Sequence, residues 1–160
     1  MPHPKPYAAR AQHLDPQLYQ EANLITFITI CAVPLQTPFV RASLNQLMLE
    51  ILISEQTRQS CSVFTYCLMP NHLHFLVKPN ADGHSVLDFA NQYKGKTTNA
   101  GWSSGWRGQL WQRKFYDHVV RSDESLIAIA RYILDNPVRK GMVATADEWR
   151  WSGQMNDLPG

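Results

Sequence analysis

The chain has 160 residues, 44% hydrophobic and 18% charged, a composition that fits one globular domain with a real core and excludes a disordered polymer. No apolar run approaches a membrane span, the Pro-rich start MPHPKPYAARAQHLDPQ has no signal-like stretch, and Cys31, Cys61 and Cys67 read as reduced, packed thiols of a cytoplasmic protein. The net charge of +2 divides into +5 over residues 91–140 and −3 elsewhere, and a basic excess interleaved with Trp and Tyr suits a phosphate backbone as well as it suits a solvated face.

Residues 1–22 carry four prolines and little periodicity, which predicts a loosely packed arm. The β-branched run Leu24–Val33, bounded by Pro34, predicts a strand. From Arg41 to Arg58 apolar residues recur at Leu44, Leu47, Met48, Ile51 and Leu52, the spacing of an amphipathic helix. Two short apolar runs, Cys61–Leu68 and His72–Lys78, are separated by a Met-Pro-Asn break and predict an antiparallel hairpin. Ser85 is placed to cap a second helix with Val86, Phe89 and Tyr93 on its apolar side, followed by the loop GWSSGWRG. A fourth strand is expected within Leu110–Arg121, from about Phe115. Ser122 then reads as the cap of a third helix with Leu126, Ile129, Ala130 and Ile133 inward, closed by Pro137. The last segment brings two Trp and a polar tail from residue 153. Four strands with two crossover helices make an α+β, ferredoxin-like βαββαβ antiparallel sheet with an extra C-terminal helix.

The stretch YCLMPNHLHFLVKP carries the chemistry. Side chains alternate along a strand, so His72 and His74 share a face while Leu73 takes the other. Neutral imidazoles are good ligands for a divalent ion, although a His-x-His pair alone is a weak signal. On the third helix Tyr132 and Asn136 are four residues apart and lie one above the other, outside the apolar stripe. The Asn136 carbonyl is a candidate third ligand that leaves positions open for substrate oxygen. A phenol is a weak nucleophile at neutral pH, so Tyr132 needs such help to attack. Each residue alone is better explained by a structural role.

Together, MPNHLHFLV, LWQRKFYDHVVR and ARYILDNPVRKG resemble the single-tyrosine HUH transposases of insertion sequences, in particular the REP-associated tyrosine transposases, over about Leu24 to Trp151. The resemblance implies one transposase domain over residues 23–152. It also implies a catalytic Tyr132 on the C-terminal helix, and Mg²⁺ or Mn²⁺ on His72, His74 and Asn136. Asn136 stands where better-known relatives carry Gln. The implied reaction is nicking and strand transfer of single-stranded, hairpin-forming DNA through a 5′-phosphotyrosine, by a monomer or homodimer and without a membrane. Lys94, Lys96, Arg113, Lys114 and Arg121 are the candidate phosphate contacts, and Trp102, Trp106 and Trp111 the candidate stacking platforms. Two other readings remain open on the residues: a domesticated, non-catalytic binding module of the same fold, and a phosphodiesterase that uses water.

Overall fold

A computed structural model describes residues 13–159. The β-branched run shortens to β1 (Thr26–Cys31) and is followed by α1 (Ala42–Arg58), β2 (Cys61–Met69), β3 (His72–Pro79), α2 (Val86–Ser103) and β4 (Tyr116–Val119). Then come α3 (Leu126–Leu134), the single turn α4 (Asn136–Arg139) and β5 (Ser152–Gln154). The strands stack in the order β4-β1-β3-β2-β5, all antiparallel, so the ferredoxin-like α+β sheet is present with C-terminal helices added. β3 lies at the centre, with a ladder on each side.

Alternation along β3 divides the core. Leu73, Phe75 and Val77 face a cluster that includes Met48 and Leu52 of α1 and Phe89 and Tyr93 of α2. Leu76 faces the other way, into a smaller cluster with Phe27, Phe64, Cys67 and Met69, roofed by Ile129, Ala130 and Ile133 of α3. His72 and His74 have the parity of Leu76, so they stand on the face that α3 covers.

Several boundaries differ from the sequence reading, each for a local reason. Ser85 does cap α2, accepting from the Leu87 and Asp88 amides, but α2 runs on through Gly101–Ser103, taking the first three residues of the expected Gly/Ser/Trp loop. The cap of α3 is Ser125, whose hydroxyl accepts from the Ala128 amide, and not Ser122. Glu124 is diverted to His118 and the Arg121 amide, so residues 121–124 close a turn instead of starting a helix. Pro137 has no N–H to continue the ladder, so α3 stops at Leu134 and Asn136 opens a separate turn. The expected polar tail supplies β5, which pairs Thr65, Tyr66 and Cys67 of β2. The first twelve residues of the expected arm lie outside the described residues. From His13 the chain docks: Tyr19 is buried, and its hydroxyl and the His13 ring both meet the carboxylate of buried Asp117.

Candidate active site

The central strand fixes the histidines. His72 pairs Cys31 and Met69, and His74 pairs Thr29 and Cys67, on the two flanking strands. Their ring centroids are 4.5 Å apart and nearly perpendicular, and Phe27 meets His74 edge-on at 5.2 Å. Both rings are held through Nδ1: His72 donates to Asn71 Oδ1 at 2.8 Å, and His74 pairs with Thr29 Oγ1 at 2.7 Å. Metal-ligating histidines are typically held this way, with the second nitrogen turned to the ion. Burial, then the charges of Lys140 and Arg139, lowers the His72 pKa to about 4, so the ring is neutral at ordinary pH.

The turn after α3 reaches this pair. Asn136 is buried at 3% exposure, and its Nδ2 donates to His72 Nε2 at 2.8 Å. Tyr132 stands one helical turn earlier, half-buried against the smaller core cluster. The Arg139 guanidinium lies 3.6 Å from the Tyr132 ring centroid, a close cation–π contact. Arg139 therefore touches the tyrosine while its charge also bears on His72. Sequence reading counted Arg139 in the basic excess without assigning it a place. Asn71, Thr29 and Arg139 were missed because their partners depend on strand register and on the break at Pro137.

The candidate DNA contacts separate. Lys96 is committed to the buried Glu55 carboxylate, which also takes Arg58 at 2.9 Å and Gln59. Lys94 donates to the Arg113 carbonyl at 2.6 Å. Arg113 and Lys114 are exposed, and Arg121 is exposed beside Asp123 and Glu124. Trp111 is core, at 3% exposure with its indole N–H on Thr97 Oγ1, whereas Trp102 is 52% exposed. Of the other phenols, Tyr93 is fully buried and donates to the Met48 carbonyl; Tyr116 pairs with Thr29 on the histidine face. His118 is buried against Glu124.

A His pair at the centre of a ferredoxin-like antiparallel sheet, with a tyrosine-bearing helix over the same face, is the arrangement that the resemblance to single-tyrosine HUH transposases implies. The family model described as "Transposase IS200 like" matches residues 25–136, and the chain belongs to this family. A candidate REP-associated tyrosine transposase of Haemophilus influenzae is 26% identical over 63% of this chain and 66% of its own length. The REP-associated tyrosine transposase of Escherichia coli K12 is 22% identical over 71% of this chain and 66% of its own. The chain thus spans about two thirds of these relatives. The solved structure of a REP-associated tyrosine transposase bound to a REP hairpin superposes with a TM-score of 0.74 at 18% identity. It covers 89% of this chain and 82% of its own, and shares the fold.

Family membership implies a divalent ion. Among the described residues no three His, Cys, Asp or Glu side chains form a group that could hold one. The donors here are two imidazoles and an amide, a mixed set that fits Mn²⁺ or Mg²⁺ with positions left for substrate and water. Two observations agree with such a site, neutral His72 and rings anchored through Nδ1, and Asn136 lies beside the pair, its N–H on the His72 Nε2 lone pair that an ion would take over. The amide oxygen is the donor that a cation takes. No helix among the described residues is long and apolar enough to cross a membrane.

Proposed function

We propose that the protein nicks and rejoins single-stranded DNA at hairpin-forming repeats, with Tyr132 as the nucleophile and His72, His74 and Asn136 holding Mn²⁺ or Mg²⁺. The observation that carries this reading is the 2.8 Å contact between Asn136 and His72, which ties the turn after the tyrosine helix to the histidine strand. Membership of the IS200-like transposase family, and the fold shared with a hairpin-bound relative, support the substrate class. When bound, the ion supplies charge against a non-bridging oxygen of the scissile phosphate.

The Tyr132 oxygen attacks phosphorus in line and loses its proton. The 3′ oxygen leaves and takes up a proton, so one product carries a 5′-phosphotyrosine and the other a 3′ hydroxyl. Attack by a second 3′ hydroxyl reverses the exchange and joins strands, with the count of phosphodiester bonds conserved. Arg139 packs on the phenol ring, restricts its orientation and places positive charge beside the reacting phosphate. Lys94, Arg113, Lys114 and Arg121 serve as backbone contacts, and Lys96 is left out because Glu55 holds it. Three unpaired thiols support a reducing, cytoplasmic location.

Labelled hairpin DNA from the gene's flanks, incubated with Mn²⁺ or with chelator and run on a denaturing protein gel, tests the reading. Wild type is expected to form a metal-dependent covalent adduct that Tyr132→Phe abolishes. Cleavage that survives Tyr132→Phe would assign the attack to water. Binding with no adduct under any condition would leave a non-catalytic module.

A further inference from the structure

A cavity of about 430 Å³ opens against His72, between the end of β1, the β1–α1 loop, Asn71 and Gln112. Its rim is unusual. Pro34 and Leu35 are the central residues of a turn closed by the Gln36 N–H donating to the Val33 carbonyl at 3.2 Å. Leu35 has φ +66°, the left-handed value that a type II turn needs at its third residue and that Gly or Asn normally supplies. Its side chain is 104% exposed. The fold therefore holds a branched apolar side chain in a strained conformation, in water, packed on nothing. Strain of this kind gathers at ligand clamps, where contacts made on binding explain it.

The cavity's polar groups are paired on one side and open on the other. Asn71 accepts from His72 through Oδ1, which leaves its amide N–H groups as donors. Gln112 donates through Nε2 to the Ala32 carbonyl at 2.9 Å, which leaves Oε1 as an acceptor. One donor and one acceptor under an apolar cover match the edge and face of a nucleobase. The volume suits one nucleoside. Gln112 also lines a neighbouring hollow of about 420 Å³ with Lys94, Trp102 and Arg113, so a strand leaving the first cavity meets an exposed indole and two cations.

We propose that this cavity takes the unpaired base next to the scissile phosphate, with Leu35 laid over its ring and the Asn71 and Gln112 amides on its edge. The inference rests on the DNA-nicking reading for the position of the phosphate. It makes the β1–α1 loop a determinant of which base adjoins the nick.

The probes are hairpin oligonucleotides from the gene's flanks with a single-stranded tail, each carrying one abasic position. Binding is read by fluorescence anisotropy without metal, and adduct formation is read with Mn²⁺. Wild type is expected to lose about tenfold in affinity at one tail position, the scale of one stacked base. Leu35→Gly and Leu35→Asn should show the same loss on intact DNA and no further loss at that position. Both residues suit a positive φ, so thermal melting should show the fold retained. Unchanged binding and nicking in both variants overturns the proposal. So do losses that add to every abasic position, or the absence of any sensitive position. A wild type that forms no adduct but keeps the Leu35-dependent sensitivity upholds the base cavity and sinks the nicking reading alone. A normal Tyr132 adduct with no Leu35 dependence sinks the cavity alone.

Discussion

His72 shows what the site asks of a single residue. In the proposed role as a ligand it must be neutral to offer a lone pair; burial with two nearby cations lowers its pKa to about 4, so protons would compete with an ion only in acid. The same shift appears in stability. Between the unfolded value near 6.5 and the folded value near 4, the unfolded chain binds a proton that folded His72 refuses. This group's contribution is therefore complete above about pH 6.5 and is lost as pH falls toward 4. We expect His72 to account for about 1–3 kcal/mol of the stability lost between pH 7 and pH 4. Urea unfolding at the two pH values checks this: His72→Gln should lose less across the interval than wild type. Equal losses would mean that the ring is already solvated in the native state.

At the scale of the element, α3 delivers Tyr132, and its start depends on one hydroxyl. Ser125→Ala should cost about 1 kcal/mol, the usual worth of an N-cap, while Ser122→Ala should change little. Thermal melting of the two variants decides, and a larger effect at Ser122 would move the helix start. β5 has an equally specific role. It covers the outer edge of β2, and deletion of residues 152–160 exposes that edge and the groups around Tyr66. The truncated protein is expected to melt lower and to aggregate on warming, read by light scattering. These elements also show where sequence reading stops. Strict alternation made the His72/His74 face legible, and the 3.6-residue period of α3 gave Ile129, Ala130 and Ile133 as its buried side. Ser122 and Ser125 offer the same local signal; the choice between them is made by Glu124 turning to His118, a contact with another strand. β5 is three residues long and takes its identity wholly from the β2 edge, so no period within it announces a strand. Asn71 and Thr29 join the site through strand register, which a single segment does not encode.

For the whole molecule the decisive quantity is where its positive charge is free to act. Residues 91–140 carry +5, yet Lys96 is committed to a buried carboxylate: it lies against Glu55, whose side chain is 1% exposed. Arg58, Lys96 and Gln59 hold the Glu55 carboxyl down at about 2, so this cluster contributes stability above about pH 4.5 and loses it as pH falls toward 2. A lysine that neutralises a buried carboxylate adds little to the external field, whereas exposed Arg113 and Lys114 keep theirs. Binding of single-stranded DNA releases counterions, and the logarithm of affinity falls against the logarithm of salt with a slope of about −0.7 per phosphate neutralised. If Lys114 is one of those contacts, Lys114→Gln should make the slope shallower by about 0.7 and leave unfolding unchanged. Lys96→Gln should do the reverse, keeping the slope and lowering the urea midpoint, with Glu55→Gln lowering it further because the buried amide then faces Arg58 without its charge. Anisotropy titrations over a series of salt concentrations, paired with urea unfolding of the same variants, measure both terms. A shallower slope in Lys96→Gln would place Lys96 on the DNA and make its contact with Glu55 a resting state that the strand displaces.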